Sequence, residues 1–173
     1  MEVVNQNPQA AIGSTVDLYG KLTSTARQFV EATSPRTLGT NEINYDGIRA
    51  LAAPGFFMTW GPKTFVSTRP GLQQPRAIDE FLEHMEGMCP HLDTWEIEVY
   101  DVTTDVSSRA ASVRANFYMK PKGQEKVLND IVFFLKMNEE GTLVTEGCEY
   151  LDGEASRIIQ ERIVKAKQQV QRF

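Results

Sequence analysis

The sequence has little of what marks several large classes of protein. Among its 173 residues are only two cysteines, Cys89 and Cys148, whose positions match neither a disulfide framework nor a metal-binding motif. No run of about 18 apolar residues is present, so we expect no membrane-spanning segment. The first residues, MEVVNQNPQAAIG, lack the basic start and the apolar stretch of a signal peptide. We therefore expect a cytoplasmic protein whose two thiols are reduced and unpaired.

Basic charge and the motifs of phosphate or metal chemistry are also scarce. Lysine and arginine number 18 against 23 aspartate and glutamate residues, which gives a net charge of −5. Nucleic-acid binding needs a concentrated basic face, so we expect no nucleic-acid partner. The sequence also lacks a glycine-rich phosphate loop, a nucleophile elbow and a cluster of metal ligands, so no metal site is expected.

The residues that are present fit one soluble globular domain. Apolar residues make up 41% of the chain and charged residues 24%, and the length allows a single sizeable core. We assign residues 1–13 to a flexible tail and 14–173 to one domain, in which 153–172 form a C-terminal helical extension. Apolar residues recur at helical spacing in four segments: Ser14 to near Ser34, Tyr45–Ala52, Pro75–Met88 and Ala155–Val170.

Strand-forming runs account for most of the remaining chain. They are Gly55–Trp60, the short run Thr64–Thr68, Thr94–Val106, Arg109–Met119, Val127–Met137 and Thr142–Leu151. Helices gathered ahead of an antiparallel meander predict an α+β fold. A curved, mainly antiparallel sheet with helices across its mouth would form a cone-shaped α+β barrel around a pocket for a small apolar ligand.

Polar residues in the last three strands are the first candidates for chemistry. Asn129 and Asp130 are conspicuous within an apolar run, and Glu149 stands near the end of the next run. A four-residue loop at 138–141 would place Asp130 opposite Glu149, and a tight turn before this hairpin would place Asn116 opposite Asp130. Asn116, Asp130 and Glu149 would then form one row across three strands.

Arg114 and Tyr118 would lie one rung from this row. Two carboxylates so placed would raise the pKa of one of them, which leaves an acid beside a base. Arg114 would hold one carboxylate charged or bind an oxyanion of the ligand. A one-residue slip in either hairpin would instead scatter the row onto opposite faces, and Asp130, Arg114 and Tyr118 could then face a dimer partner.

Aromatic and histidine residues add weaker candidates. Trp60 is expected in the core or the pocket wall, where it would contact a substrate. His91 follows a proline at a loop edge, so it is either structural or a substrate contact. His84 lies on the flank of its helix and is expected at the surface.

Three short motifs, taken in order, resemble one known superfamily. They are LAAPGF at 51–56, MCPHL at 88–92 and EYLD at 149–152. Together with the order of helices and strands over roughly residues 15–152, they resemble the SnoaL-like branch of the nuclear transport factor two-like superfamily. The resemblance implies the cone-shaped fold, with an acidic residue in the pocket at the position of Glu149.

SnoaL-like proteins include isomerases, cyclases, dehydratases and epoxide hydrolases that use no cofactor, and also proteins that only bind. The sequence resembles the small fungal members, which rearrange polyketide and terpenoid skeletons in secondary metabolism, more than it resembles the transport factor. Arg114-Ala115-Asn116 stands where the epoxide hydrolases carry Arg-x-Asp, so epoxide hydrolysis is not implied. Ala52 and Met58 stand near the positions of an Arg and a His of the fungal isomerases, so their mechanism is not implied intact.

The sequence therefore supports two hypotheses. The first is a cofactor-free enzyme that isomerises, cyclises or dehydrates a small hydrophobic polycyclic substrate, with Glu149, Asp130 and Arg114 as catalytic residues. The residues that would bind this substrate are Asn116, Tyr118, Trp60 and His91. The second is a binding module of the same fold, whose pocket would be filled by Trp60, Trp95, Phe117 and Phe134. Because the run Val127–Met137 is apolar on both faces, we also predict a homodimer.

Overall fold

A six-stranded curved sheet with helices over its inner face makes up the fold. The computed structural model describes residues 8–170, and the side chains of residues 15–167. The helices are α1 (Pro8–Ala32), α2 (Tyr45–Leu51), α3 (Lys63–Ser67), α4 (Ile78–Met88) and α5 (Gly153–Val170). The strands are β1 (Ala52–Gly61), β2 (Arg76–Ala77), β3 (Leu92–Asp105), β4 (Ala110–Pro121), β5 (Val127–Met137) and β6 (Val144–Tyr150).

The strand order in the sheet is β2-β1-β6-β5-β4-β3. Neighbouring strands are antiparallel except for β1 and β6, which run parallel. The predicted α+β class and the mainly antiparallel curved sheet are therefore confirmed. Within the described residues, no helix has the length and apolar character needed to cross a membrane.

The core lies between the inner face of the sheet and the helix α1. Strand β4 alternates between buried and more exposed residues, as its sequence pattern predicts, and β5 alternates in the same way although its sequence is apolar on both faces. The large side chains with almost no exposure include Leu22, Phe29, Phe56, Met58, Ile131 and Phe133. Full burial of one such side chain contributes about 1.5–3 kcal/mol, so this layer is the main source of stability.

The first half of the chain departs from the sequence prediction in three places. Helix α1 begins at Pro8 and not at Ser14, while residues 1–7 of the predicted tail lie outside the described residues. The run Thr64–Thr68 was predicted as a strand but lies in and just after α3. The predicted helix start at Pro75 is also wrong, because Arg76–Ala77 forms β2 beside β1 and α4 begins at Ile78.

Side-chain hydrogen bonds explain why the segment after β1 is helical. The hydroxyls of Ser67 and Thr68 donate to the carbonyls of Thr64 and Phe65 at 2.9 Å and 3.0 Å. Such bonds satisfy carbonyl groups at the end of a short helix, where no backbone partner follows. The β-branched residues that indicated a strand are thus accommodated in α3.

The register predicted for the β4–β5 hairpin is correct, whereas that predicted for the β5–β6 hairpin is wrong. Asn116 pairs with Asp130 in the β4–β5 register, as predicted. In the β5–β6 register, however, Glu149 lies opposite Phe133 and not opposite Asp130. The predicted four-residue loop is wrong, because Asn138 Oδ1 accepts hydrogen bonds from two backbone N–H groups and delays β6 until Val144. The longer loop pairs Met137 with Val144, two residues beyond the predicted Thr142, and a β-bulge between Lys136 and Met137 adds a third residue. This odd displacement puts Asp130 and Glu149 on opposite faces.

Helix α5 packs across the inner side of the molecule. Its start is fixed by Asp152, whose Oδ1 accepts hydrogen bonds from the backbone N–H groups of Glu154 and Ala155. Ala155 and Ile159 are buried, and the helix contacts β4, β5 and the 3₁₀ turn Cys89–His91. This placement makes α5 one wall of the cavity described next.

Candidate active site

A cavity of about 630 Å³ lies between the inner face of the sheet and the helices α4 and α5. The segment 65–76, which runs from within α3 to the first residue of β2, forms a further wall. Most of its lining is apolar, including Trp95, Phe117, Met119, Ile131, Phe133 and Ile159. Sites for small organic ligands are commonly about 300–1,000 Å³ and mostly apolar, and this cavity has both properties.

Glu149 is the single carboxylate among the described residues that line the cavity. The parallel pairing of β1 with β6 sets Trp60 beside Glu149, and Trp60 Nε1 donates a hydrogen bond to Glu149 Oε2 at 2.9 Å. Burial raises the pKa of Glu149 to about 7, and the Trp60 hydrogen bond opposes part of this rise. A carboxyl group with this pKa exchanges its proton near neutral pH, as a general acid or base must.

Trp60 is backed by His84 and Arg76. The ring centroids of Trp60 and His84 are 5.2 Å apart, and Arg76 Cζ lies 5.9 Å from the Trp60 ring centroid. Burial, and then the charge of Arg76, lower the pKa of His84. His84 is therefore neutral near pH 7 and can both donate and accept a hydrogen bond. It lines the cavity, so its expected place at the surface is wrong.

Asn129 is the most buried polar side chain of the cavity wall, with only 3% of its surface exposed. Its Nδ2 donates a long hydrogen bond of 3.4 Å to Ser156 Oγ on α5. Its Oδ1 is buried and has no protein partner among the described residues. A buried amide oxygen without a partner is costly, so this atom is available to accept a hydrogen bond from a ligand.

The other predicted catalytic residues lie on the outer face of the sheet. Arg114 Nη2 is 3.6 Å from Asp130 Oδ2, and the hydroxyl of Tyr100 donates to Asp130 Oδ1 at 2.9 Å. Both Arg114 and Asp130 are about half exposed, and neither lines the cavity. The predicted row of Asn116, Asp130 and Glu149 is thus wrong, for the reason of register given above.

The predicted substrate contacts divide in the same way. Trp60 lines the cavity. Asn116 and Tyr118 lie on the outer face, where both donate hydrogen bonds to Glu98 Oε2 at 3.3 Å and 3.0 Å. His91 lies in the 3₁₀ turn after α4 and is not among the residues of the cavity wall. The structure therefore brings together Glu149 and Trp60 and separates them from the other predicted residues.

Solved structures with similar folds share little sequence with this chain. PrhC from Penicillium brasilianum is 16% identical, with a TM-score of 0.69, covering 87% of this chain and 92% of that one. The BvnE pinacolase from Penicillium brevicompactum is 14% identical, with a TM-score of 0.69, covering 95% and 97%. A protein from Jannaschia assigned as a SnoaL-like polyketide cyclase is 18% identical, with a TM-score of 0.59, covering 81% and 91%.

The chain therefore has the fold of SnoaL-like and nuclear transport factor two-like proteins. No match was found among protein-family models or among curated proteins. Because these three structures are below 20% identity, they show the fold alone. The chemistry of the cavity depends on the residues of this chain.

Those residues favour proton transfer in an apolar setting. Glu149 supplies one titrating carboxyl group, and Trp60 fixes one of its oxygens. Asn129 and His84 add neutral groups that can hold an oxygen atom of a ligand. Within the described residues, no group of three or more His, Cys, Asp or Glu side chains is placed to hold a metal ion.

The raised pKa of Glu149 predicts a pH-dependent effect on stability. The pKa is about 7 in the folded chain against an ordinary value of 4.5. Below about pH 4 Glu149 is protonated in both the folded and the unfolded chain, so it does not lower the free energy of unfolding. Between the two pKa values only the unfolded chain releases the proton, which favours unfolding, and above about pH 8 the whole cost of about 3 kcal/mol applies.

We expect Glu149→Gln, compared with the wild type, to gain up to about 3 kcal/mol in free energy of unfolding between pH 4 and pH 8. Chemical denaturation at several pH values measures this difference. Glu83→Gln, on the exposed side of α4, controls for the loss of a carboxylate. A stability difference for Glu149→Gln that stayed constant across this range would contradict the raised pKa.

Proposed function

We propose that this chain is an enzyme of secondary metabolism that isomerises or cyclises a polycyclic substrate of polyketide or terpenoid type by acid–base catalysis. The observation that carries the proposal is the position of Glu149, the one carboxyl group among the described residues that line the large apolar cavity, where it accepts a hydrogen bond from Trp60 and burial raises its pKa to about 7. Similarity of fold to a pinacolase and to a protein assigned as a polyketide cyclase supports it.

Glu149 would act twice in one turnover. In its ionised form it takes a proton from a carbon next to a carbonyl group of the substrate. In its protonated form it returns that proton to a second position, which completes an isomerisation with no net change in composition. A cyclisation would use the same proton transfers, and a dehydration would direct the proton to a leaving hydroxyl group.

Neutral groups around Glu149 would stabilise the enolate oxygen that forms in between. His84 lines the same cavity and can donate a ring N–H, and Asn129 Nδ2 has a second hydrogen besides the one that it donates to Ser156. Preorganised donors in a site with little water are worth more than in solution, because they need not reorient as charge develops. Phe117, Phe133 and Trp95 would hold the apolar body of the substrate in a reactive conformation.

The alternative of a binding module predicts a cavity filled by aromatic side chains. Trp60, Trp95 and Phe117 line the wall and leave about 630 Å³ open between them. Phe134 is 50% exposed on the outer face and does not reach the cavity. An open cavity with a titrating carboxyl group supports the enzyme over the binding module.

The proposal is tested with the substrate that the source organism accumulates when this gene is deleted. Purified protein should convert that polycyclic intermediate into a product of the same mass, and loss of one water would indicate dehydration. Glu149→Gln keeps the size of the side chain but removes the titrating group. It should lower turnover by about 10²-fold or more, the usual scale for loss of a general acid or base.

Asp130→Asn is the matched control, because Asp130 is a carboxylate on the outer face of the same sheet. We expect it to keep turnover close to that of the wild type. Wild-type turnover by Glu149→Gln would show that another group moves the proton. If the wild-type protein bound the accumulated compound without converting it, the binding module would be the correct function.

We also propose that the outer face of the sheet is covered by a second copy of the chain. Leu128 and Phe134 of β5 are 49% and 50% exposed there, and the Phe134 ring packs against the half-exposed Tyr150 at 5.3 Å. Large apolar side chains exposed together are typical of interaction surfaces. Two-fold symmetry would allow one patch to contact itself.

Light scattering should therefore give twice the 19.5 kDa mass of the chain at micromolar concentration. Phe134→Asp should shift the protein to the monomer, because it would bury an unpaired charge in the interface. Leu38→Asp is the control, since Leu38 is 81% exposed in the connection between α1 and α2, away from the sheet. A wild-type monomer, or a dimer unaffected by Phe134→Asp, would refute this interface.

We also propose that the protein is cytoplasmic, as its sequence predicts. Cys89 and Cys148 are both free thiols, which suits a reducing compartment.

A further inference from the structure

Two arginines on the cavity wall have no acidic partner among the described residues. Arg69 and Arg76 both line the cavity and are half-buried. None of the ion pairs in the described part of the chain involves either of them. Lys167 of α5 lies on the same wall and also has no ion pair with a residue that the structure describes. The cavity is therefore rich in positive charge, although the chain as a whole carries −5.

Backbone carbonyls hold both guanidinium groups in place. Arg76 Nη2 donates to the carbonyl of Gly71 at 2.7 Å, and its Nη1 donates to that of Glu80 at 3.3 Å. Arg69 Nη1 donates to the carbonyl of Phe65 at 3.1 Å, and its Cζ lies 3.5 Å above the Phe65 ring. Each guanidinium group has five N–H donors, so both keep donors free for a ligand. The two groups are preorganised but not neutralised.

Glu149 does not provide the missing negative charge. Its hydrogen-bonding partner is Trp60, and its pKa is raised by burial with no cation opposing the rise. Near neutral pH it is protonated for part of the time, so it cannot balance two or three cations. Arg76 lies over the Trp60 ring whose Nε1 contacts Glu149, so a group bound at Arg76 would be one indole away from the proton-transfer site.

We infer that the natural substrate is an organic anion, in which an apolar polycyclic body carries a carboxylate that Arg69 and Arg76 bind. Planar guanidinium groups bind carboxylates through paired hydrogen bonds, and a ligand carboxylate would neutralise the cations that the protein leaves unpaired. The apolar body would then extend along Trp60 toward Glu149. This inference rests on the proposed function for the identity of the site but concerns a different part of it.

The test compares two ligands of nearly equal shape, 2-naphthoate and naphthalene-2-carboxamide, which differ in charge. Titration calorimetry on the full chain should show at least about 10-fold tighter binding of the carboxylate, and this preference should fall as salt is added. In Arg69→Gln/Arg76→Gln the preference should disappear while the affinity for the carboxamide stays the same. Retained carboxamide binding also shows that the double variant is folded.

Lys63→Gln/Lys165→Gln is the matched control, because it removes the same net charge at exposed positions outside the cavity wall. It should keep the preference for 2-naphthoate. Equal affinity of the wild type for the two ligands would overturn the inference, as would a preference that survives in the arginine variant. Absence of binding by either ligand would overturn it too, because the cavity would then not accept an apolar acid.

Failure here and failure of the proposed function give different results. Glu149→Gln should keep the preference for 2-naphthoate, since Glu149 does not contact either arginine through an ion pair or hydrogen bond. If the wild type shows no preference for 2-naphthoate but Glu149→Gln loses turnover, the proposed enzyme function stands and the anionic substrate is refuted. If the wild type shows the preference but Glu149→Gln turns over normally, the anionic substrate stands and the proposed role of Glu149 is refuted.

Discussion

The hydrogen bond from Trp60 to Glu149 links two neighbouring strands of the sheet and holds the carboxyl group on which the proposed chemistry of the cavity depends. An ionised carboxylate buried among apolar side chains needs several donors or a cation to offset the loss of water. Glu149 has one neutral donor, the Trp60 N–H, and no cation that holds it charged. The proton is therefore retained until about pH 7. A cation beside this carboxyl group, or water in place of the apolar wall, would make it an ordinary surface carboxylate.

Other parts of the fold maintain this environment. The parallel pairing of β1 with β6 sets Trp60 and Glu149 side by side at the inner face. Helix α4 places His84 against the Trp60 ring, and α5 covers the cavity with Ile159 and Ser156. The two arginines lie on the wall formed by the segment 65–76, where they leave the Glu149 carboxyl group unneutralised. The proposed proton-transfer group thus lies apart from the charged groups that we propose bind the substrate.

Much of the fold could be predicted from the sequence because apolar spacing reports it directly. β5 was predicted to the residue, since its apolar run begins and ends at clear turn residues. The β4–β5 register was also predicted correctly. Glu149 was identified as a polar residue near the end of a strand-forming run and through a family resemblance, whereas the β5–β6 register that paired it with Asp130 was wrong.

What could not be predicted depends on side-chain contacts that spacing does not contain. The Asn138 side chain lengthens a loop and a β-bulge at Lys136 and Met137 makes the register shift odd, so that Asn129, and not Asp130, shares a face with Glu149. Both residues were visible as polar positions in an apolar strand, but only the register distinguishes them. His84 lies on the flank of α4, Arg69 in the connection after α3, and Arg76 in the two-residue strand β2. At such positions the spacing of apolar residues does not predict which way a side chain points. Their position on the cavity wall becomes visible only when Trp60 and the segment 65–76 are located in the structure.

The central claim is that the Glu149 carboxyl group holds its proton near neutral pH. Carbon-13 NMR of protein labelled at the glutamate carboxyl carbons measures this directly, and the resonance absent from Glu149→Gln identifies the group. We predict that this resonance titrates with a midpoint of about 7 in the folded protein. A midpoint at the ordinary value of 4.5 would contradict the account, because Glu149 would then be fully ionised at the pH at which it is proposed to donate a proton.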